Sequence, residues 1–420
     1  MTIQTRPLAM LAAVSLSLWC GSAAATPAPI DLPAAIRLAL AQPGLRATEH
    51  EVDASEADVD QAGRYPNPTL DYLREGQQAG TRTTTMQISQ PIELGGKRRA
   101  RVALAQEGVT LARSELAARR RDVRAEVIAA YYAVLVAQER QRLARSLVEL
   151  ARRSVEVAGK RVAAGKVSPI DETRARLAAV DASTELNQAS GELAIARTEL
   201  AALIGQPADA LALAASHAGQ LPALKPLAIL LASIDGAAPV QRARGQLAAR
   251  QAQTAVERAA RMPDLTLSLG SRRDDAIGRR QAVVGLSVPL PLFDRNQGAL
   301  GAALRRTAKA EEELAAAQAA AASGFASAYT RYELARSEAM LLAQDVLPGA
   351  DAVYALTLKG FEYGKFSFLD VLDAQRTLFQ SRSRHWNALR EGWRAYAEIE
   401  RLAGAATTVP DGTTEPGVQP

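Results

Sequence analysis

The chain has 420 residues, enough for two or three ordinary domains, but only 4% are aromatic, and alanine, leucine, arginine, glutamate and glutamine dominate. That balance excludes a compact mixed fold with a large aromatic core and favours long helices. The formal charge of +5 does not mark a nucleic-acid partner, because acidic and basic residues are interspersed throughout, and Arg119-Arg120-Arg121 reads as a solvated helix face.

The first 25 residues read as a signal peptide. Arg6 supplies the positive start, and Leu8 to Trp19 is apolar but too short to span a bilayer. Ala23-x-Ala25 offers a cleavage site before Thr26. Cys20, the one cysteine, is either removed with this segment or marks a lipoprotein. Cleaved after Ala25, the chain has no disulfide and no thiol metal site. No later apolar run reaches the 18 residues of a transmembrane helix.

From Ala34 to Ala62 the pattern is helical, until Pro66-Asn67-Pro68 breaks it. Thr69 to Arg74 and Thr83 to Leu94 then read as two strands joined by a glycine-containing turn. In the second strand Thr84, Met86, Ile88 and Ile92 share one face, while Thr85, Gln87 and Ser89 share the other. Pro91 and Gly95-Gly96 end the pair. Arg98 to Ala163 is one helix, with Val102, Val109, Leu116 and Val123 forming a seven-residue seam and Gly108 as its weak point.

A hairpin tip follows, Gly165-Lys166-Val167-Ser168-Pro169-Ile170-Asp171. Gly165 ends the first helix in a left-handed conformation and Ser168 caps the next. Pro169 sits at the first helical position, and Asp171, three residues after the cap, completes a variant capping box. Lys160 and Arg161 suit the negative end of the preceding helix. The second helix runs from Pro169 to Ile204 and stops at Gly205-Gln206-Pro207, before an irregular stretch over 206–238.

The plan then repeats. Pro239 to Arg261 is helical, and Met262-Pro263-Asp264-Leu265-Thr266-Leu267 echoes Tyr65-Pro66-Asn67-Pro68-Thr69-Leu70. A second strand pair falls at about 264–291, with Ala282 to Leu290 apolar on one face. Arg295 to Phe361 is again a long helix. Its tip is Gly364-Lys365-Phe366-Ser367-Phe368-Leu369-Asp370, and Leu369 to Leu402 returns. Matching landmarks are offset by 197 to 199 residues, which marks an internal duplication: repeats at 26–205 and 239–404, with a disordered tail at 405–420.

Each long helix is roughly 100 Å at 1.5 Å per residue, about twice its hairpin partner. Two short helices stacked end to end therefore cover each long one. The four strands have the length of tilted membrane strands. Two readings stand: a soluble β-subdomain on a helical rod, or membrane strands. In the second, four strands cannot close alone and their open edges cannot face lipid, so several chains must share one barrel, and three would give twelve strands.

On the duplication, the strand placement and the two tips, above all Gly364 to Gln375, the chain resembles the outer-membrane efflux proteins, the TolC-like outer membrane factors. Pro91 to Arg99 and Val288 to Gly298 are similar to the heavy-metal branch, the cobalt-zinc-cadmium efflux outer membrane proteins. The resemblance implies a mainly α fold with a membrane β-barrel. It implies a homotrimer whose duplicated helical hairpins form an α-barrel through the periplasm, below a shared barrel in the outer membrane. The function implied is a passive exit duct of a tripartite RND-type efflux system, here for divalent metal cations. The implied partners are a periplasmic adaptor (membrane fusion protein), an inner-membrane RND pump and outer-membrane lipid. A duct for drugs or for type I secretion is the nearer alternative. A periplasmic coiled-coil adaptor is the different-class one, and it would carry a single hairpin.

The same resemblance maps gate aspartates onto Asp370 and Asp373 and an inter-protomer aspartate onto Asp171. Phe361 and Phe366 stand where some relatives place a tyrosine and a polar or basic partner, so apolar packing is the alternative to a polar closing network. Asp171 and Asp370 are explained equally as caps, with Ser168 and Ser367, and Asp373 as a solvated helix face. As a ring around an axis, Asp370 and Asp373 would filter cations. No nucleophile, acid–base pair or nucleotide motif is present, and Gly165-Lys166 and Gly364-Lys365 lack phosphate-loop spacing. His50, His217 and His385 are scattered, so no metal site and no cofactor are expected. Lys97, Arg98, Arg99 and Arg101 are either surface charge or contacts for anionic headgroups.

Overall fold

The computed structural model describes residues 29–403 except 79 and 215–218. The signal peptide with Cys20, the tail from 405 and His217 lie outside the described residues. The helices are α1 (Leu32–Leu40), α2 (Pro43–Ala62), α3 (Lys97–Ala163), α4 (Pro169–Ile204), α5 (Leu227–Ala232), α6 (Ala238–Ala260), α7 (Gln297–Leu341), α8 (Leu347–Glu362) and α9 (Phe368–Ala403). The strands are β1 (Thr69–Glu75), β2 (Thr83–Ile92), β3 (Leu265–Asp274) and β4 (Arg279–Ser287).

Two helices depart from the sequence reading, both at prolines. The helix expected from Ala34 to Ala62 is two helices, because Gln42 before Pro43 is extended (φ −72°, ψ 153°). The Gln42 side chain then donates to the Ile204 carbonyl at 2.9 Å, pinning the end of α4 to the start of α2. The long helix expected from Arg295 to Phe361 is interrupted by a π turn, Leu342–Val346, just before Pro348. Proline has no N–H to offer the preceding turn and its ring crowds the carbonyl four residues back, so the helix widens there. By contrast α3 runs unbroken through Gly108 for 67 residues, roughly 100 Å.

The helices form one layer. α2 and α4 line one side of α3, α6 and α9 the other, and α7 with α8 lies beyond α6 and α9. Small residues set the spacing. On α3 the buried residues Ala137, Ala144, Ala151 and Ala158 recur every seven positions, and on α4 so do Ala175, Ala182, Ala189 and Ala196. These two alanine ladders face each other, Ala158 against Ala175 and Ala151 against Ala182. They continue the Val102 to Val123 seam, and they let two helix axes approach to the short end of the usual 8–10 Å.

The main core sits midway along the helices. Tyr131 meets Tyr132 edge-on, and Tyr132 stacks on Trp393 at 3.4 Å between ring centroids. In the stretch expected to be irregular, 206–238, the described residues wrap this level and add Leu211, Leu224 and Leu230 to the core. Tyr131 donates to the Ile30 and Ala214 carbonyls (3.2 and 3.3 Å), and Tyr332 donates to the Pro222 carbonyl. The wrap is thus held through tyrosine hydroxyls whose rings belong to the long helices.

The strands make one antiparallel sheet in the order β1-β2-β3-β4, so the two halves of the duplication are joined at β2–β3. Register places Leu70, Ile88, Leu269 and Val284 in one row, and Tyr72, Met86, Ser271 and Ala282 in the next. This face is apolar yet open, with Leu70 63% and Val284 73% exposed. The opposite face carries Asp71, Gln87, Ser89 and Ser268, linked by hydrogen bonds of 3.0–3.1 Å through the Ser89 hydroxyl. β4 begins at Arg279 and ends at Ser287, three residues short of the expected Leu290, since Pro289 and Pro291 cannot donate to a ladder. β1 and β4 are edges.

Gly270 marks the tightest point of the joint. A Cβ there would lie 2.5 Å from the Met86 carbonyl oxygen and 2.9 Å from the Gln87 Cα. Gly270→Ala is expected to force β2 and β3 apart and destabilise the sheet by about 1–3 kcal/mol. Gly285→Ala, whose Cβ would meet only the Ser268 side chain, at 3.4 Å or more, is the control. The check is the melting of the assembled protein on unheated gels: Gly270→Ala melts lower and the control does not.

Candidate functional site

Both hairpin tips are built by the same turn. Gly165 (φ 67°) and Gly364 (φ 76°) adopt the left-handed conformation. Lys166 N–H then bonds back to the Arg161 carbonyl at 2.9 Å and Gly165 N–H to Val162 at 2.9 Å. In the second tip Lys365 reaches Gly360 at 2.8 Å and Gly364 reaches Phe361 at 2.9 Å. These paired bonds satisfy the last carbonyls of α3 and α8 and reverse the chain.

The following caps differ. At the second tip the box is complete. Ser367 N–H and its hydroxyl both donate to Asp370 Oδ2, at 2.8 and 2.7 Å, and Asp370 N–H donates to Ser367 Oγ at 3.3 Å. These bonds hold the Asp370 carboxyl below the usual carboxylate range, the hydroxyl contributing most. At the first tip Ser168 Oγ accepts from Ile170 N–H at 3.3 Å, while the Asp171 carboxylate lies 3.7 Å from Arg174. Asp171 is turned toward its own helix.

The tips are joined to each other. Arg161, at the end of α3, donates to the Phe361 carbonyl at 2.8 Å, and its guanidinium carbon sits 4.2 Å over the Phe361 ring. Phe361 is 4% exposed, within a small cluster of Ala158, Ala175 and Val371. Phe361 is therefore an apolar plug with a cation on it. Phe366 stays open to solvent, its ring lying over Gly360. Ile170, Tyr363 and Leu369 are also exposed at this end.

Asp370 and Asp373 stand one turn apart on α9 and line a cleft of about 450 Å³ against Val346, Gly349, Val353 and Thr357. Both are exposed, and Val346 is the last residue of the π turn. Sequence reasoning missed this contact and the Arg161–Phe361 clamp. The first had a visible signal in Pro348-Gly349; the second joins residues 200 positions apart and had none.

The remaining candidates are dispersed. Among the described residues no three His, Cys, Asp or Glu converge to hold a metal ion. His50 lies on exposed α2 beside Asp53 at 3.6 Å, and His385 Nδ1 is 3.1 Å from the Ala339 carbonyl, its burial keeping it below the ordinary imidazole range. The basic run after β2 is largely engaged within the chain. Lys97 pairs with Asp264 at 2.7 Å, Arg101 with Glu93, and Arg98 lies over Tyr65 and donates to the Gly63 carbonyl at 2.6 Å.

Two outcomes follow. Arg161→Ala is expected to free the second tip, raising amide exchange over 358–366 about tenfold or more, as expected for losing a charge-assisted bond of about 1.5–3 kcal/mol. Since the folded-state pKa of Asp370 is depressed below 3.8, its contribution to tip order is present above that value and is lost as pH falls through the folded pKa. Exchange of the Ser367 amide followed against pH should show this acid step, and Asp370→Asn should remove it.

Comparison with known proteins places the chain among relatives. The profile of the family described as "Outer membrane efflux protein" matches residues 35–206 and 234–405. The cobalt-zinc-cadmium resistance protein CzcC of Cupriavidus metallidurans is 42% identical over 377 residues, 90% of each chain. The nickel and cobalt resistance protein CnrC of the same organism is 32% identical over 289 residues, covering 66% of this chain and 67% of CnrC. Among solved structures, the outer membrane protein VceC of Vibrio cholerae superposes with a TM-score of 0.72 at 20% identity, over 89% of this chain and 96% of that one.

Proposed function

This chain belongs to the outer membrane efflux protein family, and from that premise we propose that it is the trimeric outer-membrane exit duct of a tripartite system that expels divalent heavy-metal cations. The observation that carries the reading is a pair of unfinished surfaces. The sheet ends in two open edges, β1 and β4, with an exposed apolar face between them. The helical layer ends in α4 and α8, whose exposed Leu177, Val180, Ile195, Val353 and Leu356 have no cover among the described residues. One rotation axis closes both. Lipid forbids open edges, and water disfavours apolar helix flanks of this extent. Three copies give twelve strands around a lumen faced by Asp71, Gln87 and Ser89.

The duct is passive and needs no cofactor. Its partners are a periplasmic adaptor, received at the tips where Ile170, Tyr363, Phe366 and Leu369 are exposed, and an inner-membrane RND pump. At those tips Asp370 and Asp373 of three chains form the cation-filtering gate, with Ser367 fixing Asp370 through one oxygen. Asp171 serves neighbour contact at the first tip, which Ser168 caps. The cargo reading draws on the metal-resistance relatives, CzcC above all. Two hairpins on one shared sheet speak against an adaptor, which would carry one.

Two experiments test this. Deletion should raise susceptibility to cobalt, zinc and cadmium and leave drug susceptibility unchanged; a change confined to drugs reassigns the cargo. In planar bilayers, Asp370→Ala with Asp373→Ala should remove block of the trimer by divalent or trivalent cations. Block that persists undiminished removes the gate assignment.

A further inference from the structure

The apolar face of the sheet has an unusual upper border. One row beyond Tyr72, Met86, Ser271 and Ala282, the register aligns Arg74, Thr84, Arg273 and Arg280 across the four strands. All three arginines are exposed, and all lie on the face that carries Leu70, Ile88, Leu269 and Val284. They sit at the hairpin end, away from the helices, which is the cell-surface end of a duct whose helices fill the periplasm. Counting from the Ile92–Leu265 row, the arginine row is eight residues up β3, roughly 26 Å along the strand and about 20 Å above that row once tilted. That height comes within about 5 Å of the apolar band of a membrane barrel, about 25 Å tall, and the exposed Val288 and Leu290 extend the apolar face to and below the Ile92–Leu265 row.

The row is short of counter-charge. Arg273 and Arg280 are directly opposite partners, a like-charge pair that destabilises a sheet. Arg273 reaches Asp275 at 3.1 Å, but among the described residues no ion-pair partner is found for Arg74 or Arg280. The other face at the same level does carry acidic groups, with Glu75 and Asp274 in one row with Arg279. The basic run at the inner end is largely satisfied within the chain by Asp264, Glu93 and the Gly63 carbonyl. Guanidinium groups with one carboxylate among three of them, at the edge of an apolar band, fit one chemistry, a phosphate carried by lipid. Arginine binds phosphate bidentately, and an anion between Arg273 and Arg280 turns a repulsive pair into a site.

We propose that Arg74, Arg273 and Arg280 form a docking row for the phosphate groups of the outer-leaflet glycolipid, tying the barrel to that leaflet. This rests on the outer-membrane reading above. The test uses the full trimer in mild detergent and two probes, diphosphorylated lipid A and the same lipid after removal of its phosphates. The native protein should bind the first and not the second, and inorganic phosphate at millimolar concentration should not compete. Arg74→Gln with Arg273→Gln and Arg280→Gln should weaken binding roughly a hundredfold, since each basic side chain near an anionic surface contributes about fivefold. The corresponding triple lysine variant should lose less, and Arg98→Gln nothing. Equal binding of the two lipids by the native protein, or displacement by inorganic phosphate, overturns the proposal, and neither measurement depends on a variant folding. Undiminished binding by the glutamine variant overturns it as well. A protein that fractionates away from the outer membrane would instead remove the reading on which it rests.

Discussion

A sheet that crosses lipid cannot leave its edge amides and carbonyls unpaired. Nearly everything else in this chain answers that one constraint. Each half of the duplication supplies a hairpin of two strands, too little to close, and β2–β3 pairing joins the two hairpins into four strands that still have edges. Closure must come from other copies. Once copies are arranged around an axis for the sheet, the helices hanging from the same strands are arranged around it too. The exposed flanks of α4 and α8 are then consequences of the barrel, with no separate explanation needed.

The tips answer a different demand. The turn must be rigid enough to present a surface and loose enough to move. Glycine geometry and the returned hydrogen bonds make each turn definite by itself. Between turns there is little beyond Arg161 on Phe361 and three small buried residues around them. A clamp made of one cation and one ring is modest in strength, which suits the gate proposed at this end.

Most of this architecture could be read from the amino acids, because long repeats leave long signals. The strand faces were visible in the alternation of Met86 and Ile88 with Gln87 and Ser89, and the turns in Gly165, Ser168, Gly364 and Ser367. What escaped has physical causes. The seam stopped at Val123 in the reading because the positions that continue it are alanines, which carry no contrast in an alanine-rich helix. Pro43 and Pro348 were read through, because strong apolar periodicity continues on both sides of them. The arginine row depends on strand register, which places Arg74 in line with Arg273 and Arg280 some 200 residues later, and no local pattern carries that information. The partner of Lys97 was hidden for a related reason: Asp264 belongs to the other half.

The facing alanine ladders of α3 and α4 have a mechanical consequence. Large interdigitated side chains lock two helices at one height, because each knob must climb out of its hole before it can move. Alanine has almost no relief to climb. A wall whose seams are methyl groups at even intervals resists being pulled apart, since close backbones give good dispersion contact, but it offers little friction to one helix gliding along another. Such a wall can be firm against collapse and still dilate by small axial slips distributed over its whole height.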